Sequence, residues 1–222
     1  MDTGSSPDKK LSENYQSGPL SFEFFFKKNK LISNSGYFQD YQHQLNRISK
    51  STATHSSLVL NNASTVRFQR DKYGHMLVNK SYKVFNKEIK CEKNFWFIKA
   101  SHDAYSKSNG VIHERQLQYF HENCKLVGCD KLIKTKNFKS SNFELRFHLL
   151  PEIKLTKLLN NESIIIENNN AGWKFTCKNH NIDIETGLYF GRKNKYVENK
   201  NILVSGLTNS EEQNILWEIS KV

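Results

Sequence analysis

The sequence predicts an all-β fold, an antiparallel β-sandwich of two stacked sheets with little helix. Three observations lead there: short apolar runs alternate with period two, turn residues punctuate them at short intervals, and almost no window carries a helical period. In NFELRFHLL, Phe143, Leu145, Phe147 and Leu149 fall on one face and Glu144, Arg146 and His148 on the other. GWKFTC repeats the pattern with Trp173, Phe175 and Cys177. Asn-Asn, Asn-Gly, Ala-Gly and Thr-Gly pairs separate the runs. Strands that are apolar on one face must bury it, and two such sheets bury each other.

Taken in order, residues 1–19 read as a turn-rich, polar leader. LSFEFFF (20–26) and KLISNSG (30–36), parted by KKN, predict a hairpin with a charged, solvent-facing turn. DYQHQLNRISK (40–50) is the one helical candidate, with Tyr41, Leu45 and Ile48 on one side. In RISKSTATHSSLVLNN (47–62), six Ser and Thr residues surround His55, and Leu58 and Leu60 open a half-buried strand. His55 is thereby set at a strand entrance, where ligand-facing residues collect. Further strands are expected in TVRFQR, KSYKVF, KNFWFIKASH, GVIHERQLQYF, KLVGC, NFELRFHLL, KLTKLL, ESIIIEN, GWKFTC, DIETGLYFG, NILVSG and NILWEIS.

A chain of 222 residues, 37% hydrophobic with 27 aromatic residues, is long and apolar enough for one sizeable core and is not disordered. The formal charge of +11 suggests a polyanionic partner. Lys outnumbers Arg 27 to 6, however, and 25 Asn accompany it, so the charge reflects composition as much as a binding patch. With so little Arg for bidentate recognition, nucleic acid is not an expected partner. The four cysteines, Cys91, Cys124, Cys129 and Cys177, contain no CxxC pair and no ligand-like spacing, so a zinc ribbon is not expected; a Cys124–Cys129 disulfide across a turn is the alternative to the free, half-buried thiols expected here. No run approaches the ~20 apolar residues of a membrane span, and MDTGSSPDKKLSENYQSG lacks the apolar centre of a secretory signal.

SGPLSFEF, LISNSG, RISKSTATHSSLVLN, SHDAYSKSNGVIHERQL, FELRFHLLPEIK, GWKF, ILVSG and ILWEIS follow one another along the chain. This ordered set resembles the C-terminal β-sandwich of the heparinase II/III-like family of bacterial polysaccharide lyases. The resemblance implies a sandwich over residues 20–222. In the family, an N-terminal helical (α/α) toroid packs against it with the substrate cleft between; no toroid precedes the sandwich in this sequence. The implied reaction is β-elimination at a uronic acid. A base removes the C5 proton, a polar or cationic group blunts the sugar carboxylate, and an acid protonates the departing glycosidic oxygen. The implied partners are an acidic polysaccharide and a helical toroid, on a separate chain if the enzyme is split. The family setting is periplasmic, although no signal peptide is read here.

Against the family pattern, only His55 keeps its place and is the candidate catalytic residue. Where members carry His-x-His-x-Asp, this sequence has Asn14, Tyr15, Gln16, Ser17 and Gly18, and the Asp of the next strand end is Asn34. Several members hold zinc through a first-segment His, that Asp and the last His. With Gln16 and Asn34 in those places, no metal and no other cofactor are expected. Gln16, His113 and Arg115 are candidate substrate-binding residues. Arg115 suits a uronate carboxylate because its planar fork matches it, and alternation puts His113 on the same face. A hydrogen-bonded structural role for His55 and a solvated sheet face for His113 and Arg115 are the competing readings. Trp96, Trp173 and Trp217 are read as core, and His148 as part of a cross-strand polar network with Glu144 and Arg146. A non-catalytic acidic-carbohydrate-binding or accessory domain, or a basic polyanion-binding module, are the alternatives to a lyase portion.

Overall fold

The computed structural model describes residues 1–168, 171–192, 195–209 and 212–222. Lys27 and Lys28 turn the chain between β1 (Phe24–Phe26) and β2 (Asn29–Ile32), the expected hairpin. The helical candidate forms α1 (Gln44–Ser49), which His43 caps by accepting the Leu45 N–H at 3.1 Å. Only Leu45 of its expected apolar side is buried, while Tyr41 and Ile48 are exposed. This short helix docks through polar fixings instead: Asn46 Nδ2 donates to Phe38 O at 2.7 Å, and the Phe38 N–H donates to Ser49 Oγ at 3.1 Å.

After β3 (Leu58–Leu60) comes a second hairpin, β4 (Arg67–Arg70) and β5 (Met76–Lys80). A meander follows: β6 (Val84–Cys91), β7 (Phe95–His102), β8 (Val111–Phe120) and β9 (Lys125–Lys134). KSYKVF is not one strand, because it straddles the end of β5 and the start of β6. Tyr82 between them bonds Ser6 instead of a neighbouring strand, giving its N–H to Ser6 Oγ at 2.9 Å and accepting the Ser6 N–H at 3.3 Å. The chain continues through β10 (Asn142–His148), then β11 (Lys154–Lys157), β12 (Ser163–Asn168) and β13 (Ala171–Thr176). It closes with β14 (Asn181–Arg192), β15 (Lys195–Leu207) and β16 (Gln213–Lys221).

These strands form an eight-stranded sheet in the order β11-β12-β13-β16-β9-β8-β7-β6 and a four-stranded sheet in the order β14-β15-β10-β3. The last strand, β16, pairs antiparallel with both β13 and β9 and so joins two meanders into one surface. The core lies between the sheets. Phe143, Leu145 and Phe147 of β10 are all at 0% exposure, as alternation requires. Phe147 meets Phe175 and Trp217 edge to face, each at 4.8 Å between centroids. Gly128 opposes Trp217 in the ladder, and a Cβ there would fall 2.0 Å from Trp217 Cζ2. Trp173 and Trp217 are buried as expected, and Trp96 is half-buried. Among the described residues no helix is long and apolar enough to cross a membrane.

Residues 1–19 are fastened to the sandwich by backbone hydrogen bonds. The Asp2 N–H donates to Ser21 O at 2.7 Å, Leu20 N–H to Asp2 O at 3.0 Å, and Ser17 N–H to Lys50 O at 2.9 Å. The polar groups of this turn-rich leader are spent on the backbone of the sandwich.

Candidate functional site

The Ser/Thr run around His55 uses its hydroxyls as fasteners. Ser17 Oγ meets Thr65 Oγ1 at 2.5 Å, which in turn meets Thr52 Oγ1 at 2.9 Å. Ser57 Oγ donates to Pro19 O and Ser56 Oγ to Ser33 O, both at 2.6 Å. The 51–57 loop is thus bolted to the 17–19 segment and to the end of β2. A one-turn 3-10 helix, Thr52–Thr54, delivers His55 as its C-terminal residue.

His55 is 6% exposed. Its ring lies against Gly18, where a Cβ would come within 2.4 Å of Cδ2, so the approach requires glycine. Nδ1–H donates to Ser51 O at 2.9 Å. That bond selects the tautomer and leaves Nε2 with a lone pair and no partner among the described residues. Burial lowers the pKa to about 4, although the Ser51 carbonyl opposes it. Neutral at pH 7 and weakly basic, this imidazole is better suited to accepting a hydrogen bond than to removing a carbon-bound proton.

Asn34 is beside it, but its Oδ1 accepts the Ser56 N–H at 2.8 Å. Gln16 precedes Gly18 by two residues and is half-buried. No group of three His, Cys, Asp or Glu side chains converges among the described residues. A zinc ion needs anionic or imidazole donors. One imidazole beside a neutral amide whose oxygen is already engaged does not fit that requirement, and no step is derived through a metal.

His148 does not share the half-buried polar network of its strand. Arg146 pairs with Glu144 at 2.8 Å and Glu185 at 2.9 Å, whereas His148 is buried beneath the 51–56 loop. Its Nε2–H donates to Ala53 O at 3.0 Å and Nδ1 accepts from Ser35 Oγ at 2.9 Å. Burial, with His55 nearby, lowers its pKa to about 3. Alternation alone could not reveal this, because at the end of β10 a loop covers the outer face.

His113 and Arg115, the candidate substrate-binding residues of β8, are both at 0% exposure. Alternation does place them on one face, but it is the inner one. His102 and His113 are ladder partners, as are Arg115 and Asp130. The Ala104 N–H donates to His102 Nδ1 at 3.2 Å, so the His102 proton sits on Nε2 and is donated to His113 Nδ1 at 3.1 Å. His113 Nε2–H then donates to Asp130 Oδ1 at 2.6 Å. Arg115 Nε donates to the same oxygen at 2.8 Å, and Trp217 Nε1 donates to Oδ2 at 2.8 Å. Burial would raise the Asp130 pKa, but Arg115 and His113 hold it well below the usual carboxylate range. Arg115 Nη1 reaches Leu20 O at 2.8 Å and Ser56 O at 2.6 Å, and its guanidinium lies over Phe22 at 5.4 Å. Arg115 therefore clamps both segments that frame His55, from inside the core.

A family model described as Heparinase II/III-like, C-terminal, matches residues 1–218. The chain belongs to this heparinase II/III-like family. Among solved structures, it superposes on the heparan sulfate lyase HepC from Pedobacter heparinus with a TM-score of 0.74 at 15% identity. It also superposes on heparinase III, the BT4657 gene product, with a TM-score of 0.73 at 14% identity. In both cases 93% of this chain is covered and 30% of the other. A third structure, a heparinase III, matches at 0.67 and 13% identity. At these identities the likeness establishes the fold, and the heparinase-like chain spans about 30% of its neighbours' length. No curated protein matches in sequence.

Proposed function

We propose that this chain is the β-sandwich portion of a lyase that cleaves uronate-containing acidic polysaccharide, of the glycosaminoglycan type, by β-elimination. The observation that carries the reading is the family match over residues 1–218, in a fold shared with lyases. His55 supports it, held at the strand entrance with Nε2 uncommitted. In this role His55 positions substrate, accepting a hydrogen bond from the sugar, while base and acid come chiefly from a helical toroid across the cleft. Elimination removes the C5 proton, breaks the C4–O bond and forms the C4=C5 double bond as the leaving oxygen takes up a proton. Base and acid must flank one sugar, so effective molarity depends on both walls.

A second reading, a non-catalytic acidic-carbohydrate-binding or accessory domain, is favoured by a specific observation. Asn34 is engaged by the Ser56 amide, and His55 is a weak base. The ultraviolet absorbance of unsaturated uronate separates the two, measured on acidic polysaccharides with the chain alone and with a cognate toroid. The lyase reading expects turnover only with the toroid and a reduced rate in His55→Ala. Polysaccharide binding without turnover in either case would establish the accessory reading.

A further inference from the structure

Next to the His55 loop lies an open hollow of about 660 Å³ whose lining contains no carboxylate. Three cations border it: Arg47 from α1, Arg67 from β4 and Lys80 from β5. None has an ion-pair partner among the described residues. Arg67 and Lys80 are direct ladder partners in the β4–β5 hairpin, which sets two like charges opposite one another. Cross-strand like charges destabilise a hairpin, and elsewhere the chain relieves such crowding, as where Glu88 takes both Lys90 and Lys99 at 2.7 and 2.8 Å. An uncompensated repulsion over a cavity is the local inconsistency expected where a ligand supplies the missing charge.

We propose that this hollow binds an oxyanion, the sulfate or carboxylate substituent of an acidic oligosaccharide. The choice of a saccharide rests on the function proposed above, whereas the anion preference rests on the charges alone. Arg47 and Arg67 offer planar forks for the oxyanion, with Lys80 as a third point charge. Ser64 and Asn79 supply neutral groups for sugar hydroxyls, and half-buried Phe68 supplies an apolar wall. The volume falls within the range of small-molecule pockets. Ser51 lines the hollow and its carbonyl holds His55, so a sugar anchored here lies alongside the His55 loop.

The test is calorimetric titration with a sulfated and an unsulfated uronate tetrasaccharide. It compares the native chain, the double variant Arg47→Gln/Arg67→Gln, and the charge-matched control Lys154→Gln/Lys178→Gln at exposed positions. Nuclear magnetic resonance of the arginine side chains with inorganic sulfate runs in parallel. Losing two charge-assisted contacts is expected to weaken tetrasaccharide binding by about tenfold or more, with the control unchanged. If tetrasaccharide binds and the two double variants behave alike, the pocket is overturned and the polysaccharide reading stands. If inorganic sulfate perturbs Arg47 and Arg67 while no tetrasaccharide binds, the oxyanion site stands and the polysaccharide reading falls. Absence of both signals overturns both.

Discussion

At the scale of single residues, the His55 site is defined by what its neighbours have already committed. Asn34 Oδ1 accepts the Ser56 N–H, and no cluster of His, Cys, Asp or Glu side chains converges among the described residues, so the site lacks the charge that zinc requires. After dialysis against trace zinc, the chain is expected to retain no stoichiometric metal. One equivalent that persists and disappears in His55→Ala would contradict this account of the donor set. Gly18 is the other determinant, because the ring occupies the space of the missing Cβ. Gly18→Ala should displace His55 and cost about 1–3 kcal/mol, as overpacking does in a tight interior. Urea unfolding together with the His55 imidazole resonances checks this, and neither should match the native protein.

Among elements, β7, β8, β9 and β16 each contribute one or two side chains to the ladder that ends at Asp130. Removing the acceptor in Asp130→Ala would leave the Arg115 charge and the His113 and Trp217 donors without it. The expected loss is about 3–5 kcal/mol, larger than for an exposed pair because Arg115 is left as a buried charge without its counterion. Chemical denaturation measures it, and amide exchange should show residues 17–22 and 51–57 loosening first, since Arg115 ties Leu20 and Ser56. This clamp marks the limit of what was legible beforehand. Period two placed Phe143, Leu145 and Phe147 inside and put His113 and Arg115 on a common face, because alternation is a property of one strand. Whether that face was inner or outer depended on the Leu20–Phe22 segment and the Ser56 loop packing over it, which no single strand encodes. The same holds for His148, buried by a loop from far along the chain, and for the KSYKVF break, made by Ser6. The Ser/Thr-rich entrance to β3 was legible because small hydroxyl residues signal a turn locally. Its fastening to Ser17, Pro19 and Ser33 was not, since those partners lie far away in sequence.

For the whole molecule, the consequence of burying polar groups so heavily is a dependence of stability on pH. His55, His102, His113 and His148 are all buried, and burial lowers each pKa below the ordinary 6.5, to about 4 for His55 and about 3 for His148. As pH falls through 6.5 the unfolded chain takes up protons at these positions, while the folded chain does not until the lower values are reached. The unfolded state then binds more protons, so stability is fully present above 6.5 and is lost towards the folded pKa values. Each group contributes up to about 1.4 kcal/mol per pH unit inside its window, a large slope against a total of about 5–15 kcal/mol. Asp130, held low by Arg115 and His113, adds a loss of the same sign at still lower pH. Urea midpoints should therefore fall steadily from neutral pH to about pH 5, well above the range where carboxylates alone act. His148→Gln, which keeps a neutral polar side chain but cannot titrate, should lower stability at neutral pH and flatten the slope. A midpoint independent of pH across that interval would mean that these imidazoles take up protons as readily folded as unfolded, and that the packing described around them does not persist in solution.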